Sequence, residues 1–272
     1  RDAYNQFCTG GTDLIQNVQK QLSGDFRDLI LKLFLTRAEF DAEELMRAFQ
    51  GFSPDEETIY EILFNRPNAL REDILESFYT KTGKLVENLI ESGFHKYTKT
   101  PLKKMLRINR CEEMRLDLGL CERASQAIAN VSPNDWITYD EILNYFGQLT
   151  PAELLLMGRL YKEKKGQNIL DAIDTIKSKH KQVFFRTLYY VVVNPAEYFS
   201  NKINQSVRGF GTDEKLLARV IVNRYDIDMS NIKKYYWQTY NESVRKTIED
   251  DCSGSYKRLL IGLAHQLDTN EF

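Results

Sequence analysis

An all-α, repetitive fold is what this sequence predicts, on three observations. Prolines and glycines are few, 6 and 14 in 272 residues, so long segments run without a breaker. Those segments carry apolar residues at intervals of three and four, the period of one buried helix face. The chain also repeats itself, a signal of helical arrays.

The first helical pattern runs through Leu14, Ile15, Val18 and Leu22, and continues at Leu29, Ile30 and Leu33. Strand-like alternation is rare throughout. The segment Asp13 to Phe26 realigns with Ser243 to Tyr256: apolar positions coincide, Ser23-Gly24 matches Ser253-Gly254, and an aromatic follows in both. Leu29-Ile30-Leu31 then matches Leu259-Leu260-Ile261, and a third copy begins at Ile169 and breaks at Ser178. Each copy reads as a helix, a serine-containing break and a second helix.

A second landmark recurs between amphipathic helices: Gly51-Phe52-Ser53, Asn130-Val131-Ser132 and Gly209-Phe210-Gly211, with central residues 79 apart. These landmarks divide the chain into half a repeat at 1–36 and full repeats at 37–110, 111–194 and 195–272. A half repeat leaves helices without partners. The chain also opens on Arg1 and not Met, so the natural N-terminus is expected upstream.

Helix starts at the landmarks follow capping chemistry. Ser53-Pro54-Asp55-Glu56 predicts a capping box with Ser53 as N-cap, Pro54 at N1 and Glu56 at N3. Ser132-Pro133-Asn134-Asp135 predicts the same start with Asp135 in the acid's place. In the last repeat Thr212 is the expected N-cap, with Asp213 and Glu214 favouring the positive helix end. The two glycines around Phe210 allow φ > 0 there, which turns backbone carbonyls toward a common point. A hard cation such as Ca²⁺ takes six to eight oxygens, many of them carbonyls, but a carboxylate must come from elsewhere to supply charge.

Val207-Arg208-Gly209-Phe210-Gly211-Thr212-Asp213-Glu214 resembles the annexin calcium loop: an apolar residue, a basic one, then Gly-x-Gly-Thr-Asp. Annexins place the completing acid about 40 residues on, before a Thr/Ser-Gly turn. Here Asp251 stands before Cys252-Ser253-Gly254, 40 residues after Gly211. Arg224-Tyr225-Asp226-Ile227-Asp228-Met229 is similar to the opening of the third helix in the last annexin repeat. The match is close over 195–265 and looser elsewhere. The resemblance implies an array of repeats of about five helices each, forming a curved disc. It implies that the carbonyls of Val207, Gly209 and Gly211 bind Ca²⁺ with Asp251 as bidentate carboxylate, and that Thr212 and Glu214 form a minor accessory site.

The other repeats depart from this pattern. Gln21 stands where the first repeat's acid belongs, bringing an oxygen but no charge. In the second, Gly51 survives, Ser53-Pro54 replace Gly-Thr, and Glu91 is an out-of-phase candidate acid. In the third, Asn130-Val131-Ser132 replaces the loop and Ile176 the acid, so that site is expected to be lost. The implied function is reversible, calcium-dependent attachment to acidic phospholipid, with lipid phosphate completing the ion's shell. Phe210 is expected either to enter the headgroup region, with Arg208 meeting an anionic lipid, or to fold back onto its own repeat. The alternative is a calcium-independent scaffold that binds cytoskeletal partners or itself.

Composition bounds the rest. With 37 basic and 39 acidic residues the net charge is −2, and no zinc-finger, RRM or OB signature occurs, so nucleic acid is not an expected partner. The longest apolar runs, such as Tyr189 to Val193, are too short to span a bilayer. No signal peptide is visible, and the resemblance implies a cytoplasmic protein, peripheral at the inner face of membranes. Cys8, Cys111, Cys121 and Cys252 lack CxxC spacing and read as reduced thiols. His95, His180 and His265 read as solvated or singly hydrogen-bonded. No nucleophile with a neighbouring base is visible, so no enzyme is expected. Trp136 and Trp237 read as core residues. Lys162-Glu163-Lys164-Lys165 and Lys177-Ser178-Lys179-His180-Lys181 read as solvated helix ends, the second a candidate for facing a membrane.

Overall fold

A computed structural model describes residues 13–209 and 211–265. Among them the fold is all-α with no strand. The helices are α1 (Leu14–Gln21), α2 (Gly24–Lys32), α3 (Arg37–Ala48), α4 (Glu56–Asn65), α5 (Asn68–Thr82), α6 (Val86–Gly93), α7 (Lys99–Leu106), α8 (Leu118–Asn130), α9 (Asp140–Gln148), α10 (Pro151–Lys165), α11 (Ile169–Asp174), α12 (Lys179–Val193), α13 (Pro195–Val207), α14 (Glu214–Arg224), α15 (Met229–Tyr240), α16 (Val244–Asp251) and α17 (Gly254–His265). A 3₁₀ turn spans Pro133–Thr138. None of these helices is long and apolar enough to cross a membrane. The chain forms two compact units, one of residues 37–195 and one of 1–36 with 196–272.

In the 37–195 unit, α3 packs along α5, α8 along α10, and α4 along α12. The third pairing joins segments more than 100 residues apart in sequence. Its seam is aromatic: Tyr60 and Phe64 on α4 meet Phe184 on α12 edge-on, at centroid distances of 5.3 and 5.5 Å. Such edge-to-face pairs add specificity to the area they bury. Trp136, fully buried as expected, meets Phe185 at 5.7 Å and Tyr161 at 5.9 Å. Its indole N–H donates to the Ile128 carbonyl at 3.0 Å, satisfying its polar edge. Arg66 and Asp41 form a bidentate buried pair, with bonds of 2.6 and 3.0 Å. Thr150 and Glu153 form a reciprocal capping box at the start of α10, and Gly166 ends that helix at φ +71°.

In the other unit, α2 lies against α14 and α17, and α16 against α17. Leu29, Leu217, Val220, Ile221, Ile248 and Leu260 form its core, each at most 1% exposed. The N-terminal helices are therefore not without partners: the apolar stripe of α2 is covered by helices that start 190 and 230 residues after it in sequence. Trp237 departs from expectation too. It is 56% exposed, because α15 buries Met229, Ile232 and Tyr236 and turns Trp237 to the opposite face. Among the described residues the histidines are each singly hydrogen-bonded, as expected: His95 Nδ1 to the Tyr97 N–H, His180 to Glu56 and His265 to the Ile261 carbonyl. His180 is bonded through Nδ1 to Glu56 at 2.8 Å and stacks on His95, with centroids 4.4 Å apart and planes within 8°. Cys111, Cys121 and Cys252 are free thiols, and Cys8 lies outside the described residues.

Candidate metal-binding loop

The turn between α13 and α14 is built from its backbone outward. Gly209 has φ +118° and Gly211 φ +85°, conformations that side chains with a Cβ rarely adopt. A Cβ at either position would meet nothing within 4 Å, so the loop faces open space. The Asp213 N–H returns to the Ser206 carbonyl at 2.7 Å and closes the turn.

Asp213, and not Thr212, is the N-cap of α14. Its Oδ1 accepts the Leu216 N–H at 3.0 Å. The carboxylate is an equally suitable cap one residue later, which leaves the Thr212 hydroxyl for another partner. That hydroxyl donates to the Asp251 carbonyl at 3.1 Å. The bond ties the glycine loop to the end of α16, 39 residues away.

Asp251 is exposed, and its carboxylate accepts no hydrogen bond or ion pair among the described residues, whereas the neighbouring Asp250 is held by Lys246. The field around it is negative. The Cys252 thiol is pushed up to about 11, first by burial and then by the carboxylates of Asp251 and Glu214. The Glu214 carbonyl accepts the Tyr256 hydroxyl at 2.8 Å, fixing α17 against the start of α14. The Arg208 guanidinium lies 5.6 Å over the Tyr240 ring. Phe210 lies outside the described residues, and with it the expected headgroup contact of its side chain.

Among the described residues, no three His, Cys, Asp or Glu side chains gather as a metal cluster. A hard-cation site in this region is therefore one of backbone oxygens completed by one carboxylate. Val207, Gly209, Gly211 and Asp251 fit such an ion: both glycines are left-handed with open space beside them, and the acid is uncompensated among the described residues.

The other two loops form a graded series. In the second, Gly51 has φ +104°, but Ser53 lacks a positive φ, so only one carbonyl is turned in this way. The Asp55 N–H closes that loop on the Ala48 carbonyl at 2.8 Å, as Asp213 does in the last. The predicted capping box is displaced. Asp55 caps α4, taking the Thr58 N–H at 3.1 Å and its hydroxyl at 2.7 Å, so Pro54 stays outside the helix. Glu91 is exposed but engaged by Lys99 at 3.2 Å and Lys103 at 2.6 Å, and these ammonium groups hold its carboxyl below the usual range.

In the third loop Val131 and Ser132 have φ of −117° and −58°, and Ser132 makes no side-chain cap. A 3₁₀ turn follows it in place of the expected α-helix start. Ile176 is buried, and Gln21 is the exposed last residue of α1. The pairing of Glu91 escaped the sequence reading because its partners lie past a helix break, beyond any helical periodicity.

A helical-repeat protein with a carbonyl loop beside one unpaired acid is the class these features define. The annexin family model matches residues 40–104 and 198–263. Human annexin A4 is 30% identical over 267 residues, covering 97% of this chain and 82% of the relative. Human annexin A7 and rabbit annexin A11 are 26% and 28% identical, and the chain spans about half of their lengths, 53% and 50%. A solved annexin III structure superposes with a TM-score of 0.89 at 25% identity, covering 97% of this chain and 81% of that one. The chain belongs to the annexin family.

Proposed function

We propose that this chain binds Ca²⁺ through the carbonyls of Val207, Gly209 and Gly211 with the Asp251 carboxylate, and thereby attaches reversibly to acidic phospholipid. One observation carries the reading: a loop with two left-handed glycines is tied by Thr212 to the uncompensated acid at 251. Thr212 and Glu214 are the accessory oxygens of this reading, and Arg208 and Phe210 its lipid contacts. Gly51 and Glu91 hold no second ion of comparable strength, because Lys99 and Lys103 already balance Glu91. The solved relative titled calcium-bound annexin (Sm)1 shares the fold, with a TM-score of 0.85 at 18% identity.

The repeats proposed are 1–36, 37–110, 111–194 and 195–272. Five α-helices falling within 37–110, and again within 195–265, support that division.

One carboxylate and a ring of carbonyls bind Ca²⁺ weakly alone, with a Kd on the order of 10⁻⁴–10⁻³ M. Lipid phosphate that shares the ion makes metal and membrane binding reciprocal. The test is co-sedimentation with phosphatidylserine vesicles across a calcium titration, comparing the unmodified chain with Asp251→Ala. Calcium-dependent pelleting that Asp251→Ala abolishes is the expected result; pelleting indifferent to Asp251 would overturn the assignment. A calcium-independent scaffold is the second reading, favoured by the two loops without a competent acid. It predicts sedimentation with filaments in chelator.

A further inference from the structure

The second loop answers the charge problem with residues of its own. Phe52 stands at its tip, fully exposed, beside the left-handed Gly51. The end of α6 runs alongside: a Cβ on Gly93 would sit 3.0 Å from Pro54 Cγ. Two residues back, Glu91 is gripped by Lys99 and Lys103, and Lys99 also donates to the Glu91 carbonyl at 2.9 Å. Two tethered ammonium groups thus face one carboxylate.

Further lysines lie on the neighbouring segments. Glu56, which follows the loop, is bonded to His180 at 2.8 Å, and His180 stacks on His95. The Nζ atoms of Lys96 and Lys181 lie 5.2 and 5.0 Å from the centroid of the Tyr97 ring. Lys179 is exposed at the start of α12. Of the acids next to these groups, Glu91 is paired with two lysines, Glu56 is hydrogen-bonded to His180, and Asp55 is engaged in capping α4.

We propose that the Phe52 tip and the lysines at 96, 99, 103, 179 and 181 form a second contact with anionic phospholipid that needs no calcium. An apolar side chain flanked by flexible ammonium groups suits the headgroup boundary, the ring entering it while the lysines meet phosphate and carboxylate. At the 209–211 loop the positive charge must be recruited as a metal ion; here Lys99 and Lys103 are resident. The proposal does not rest on the calcium reading, and its test separates the two.

The full chain is sedimented with phosphatidylserine–phosphatidylcholine vesicles, and with phosphatidylcholine alone, in excess EGTA at low ionic strength. Pelleting with the anionic vesicles only, weakened by salt, is expected. Phe52→Ala should lower the partition coefficient about tenfold. Lys103→Gln should lower it about fivefold, the weight of one lysine at an anionic surface. Excess EGTA removes any contribution of the 209–211 loop, so the partition read there belongs to the second contact alone. Unaltered helical circular dichroism checks that the variants fold. In a separate readout, Phe52→Trp should gain blue-shifted emission quenched by brominated lipid. No pelleting in EGTA, pelleting indifferent to both Phe52 and Lys103, or no shift of the introduced indole overturns the proposal. Loss of calcium-dependent pelleting alone would instead strike the 209–211 assignment.

Discussion

Gly211→Ala isolates backbone geometry from every other property of the loop proposed to hold calcium. Gly211 sits at φ +85°, and an added Cβ meets no atom within 4 Å. The substitution therefore adds no clash and removes no side-chain ligand; it only makes the left-handed conformation costly, by about 1–2 kcal/mol. Without ion the loop relaxes to a negative φ and swings its carbonyl away. Binding must then restore the strained geometry, and the whole cost falls on affinity. That cost is a rise in Kd of about five- to thirtyfold. Gly51→Ala is the control: its φ is +104° with equally open surroundings, but its loop has no uncompensated acid. Isothermal titration calorimetry with Ca²⁺, in the presence of soluble short-chain phosphatidylserine, measures both. Unchanged affinity in Gly211→Ala, or equal losses in the two variants, would refute the view that turned carbonyls at 209–211 hold the ion.

Two further outcomes test the scaffold that carries these loops. Arg66→Met leaves Asp41 charged in a buried site and should destabilise by about 3–5 kcal/mol, seen as a drop in Tm on the order of 10 °C; a drop below 2 °C, as a rough limit, would mean the pair is not buried as described. Gly158→Ala should also lower Tm despite the better helix propensity of alanine, because the new Cβ would lie 2.2 Å from the Tyr189 hydroxyl. Overpacking of this kind costs about 1–3 kcal/mol and exceeds a propensity gain of about 1 kcal/mol. A rise in Tm would show that Tyr189 has room to move.

Much of the fold was legible because helical periodicity is a local property. Leu29, in the first helical pattern, was readable as part of a buried helix face wherever its partners lay. The left-handed turn at Gly209 and Gly211 was legible for a related reason: Gly-x-Gly is a backbone requirement written directly in residue type. Cap positions were less so. Ser53 and Asp55 are both good caps, as are Thr212 and Asp213, and the choice between them depends on the loops closing on the Ala48 and Ser206 carbonyls. Trp237 failed for a similar reason. Its helix is amphipathic, but which face meets the core is settled by what lies opposite.

The residues alone specify helices, their breaks and the one turn whose two glycines can hold carbonyls at positive φ, since these depend on neighbours a few positions away. Packing specifies which acids remain available. Asp251 and Glu91 are both exposed carboxylates near the end of a short helix, and nothing local distinguishes them. Folding brings Lys99 and Lys103 onto Glu91 and leaves the Asp251 carboxylate unpaired among the described residues. It likewise sets α2 under α14 and α17, and His95 on His180. These contacts join residues that sequence spacing does not relate, because charge compensation and burial act through space and not along the chain.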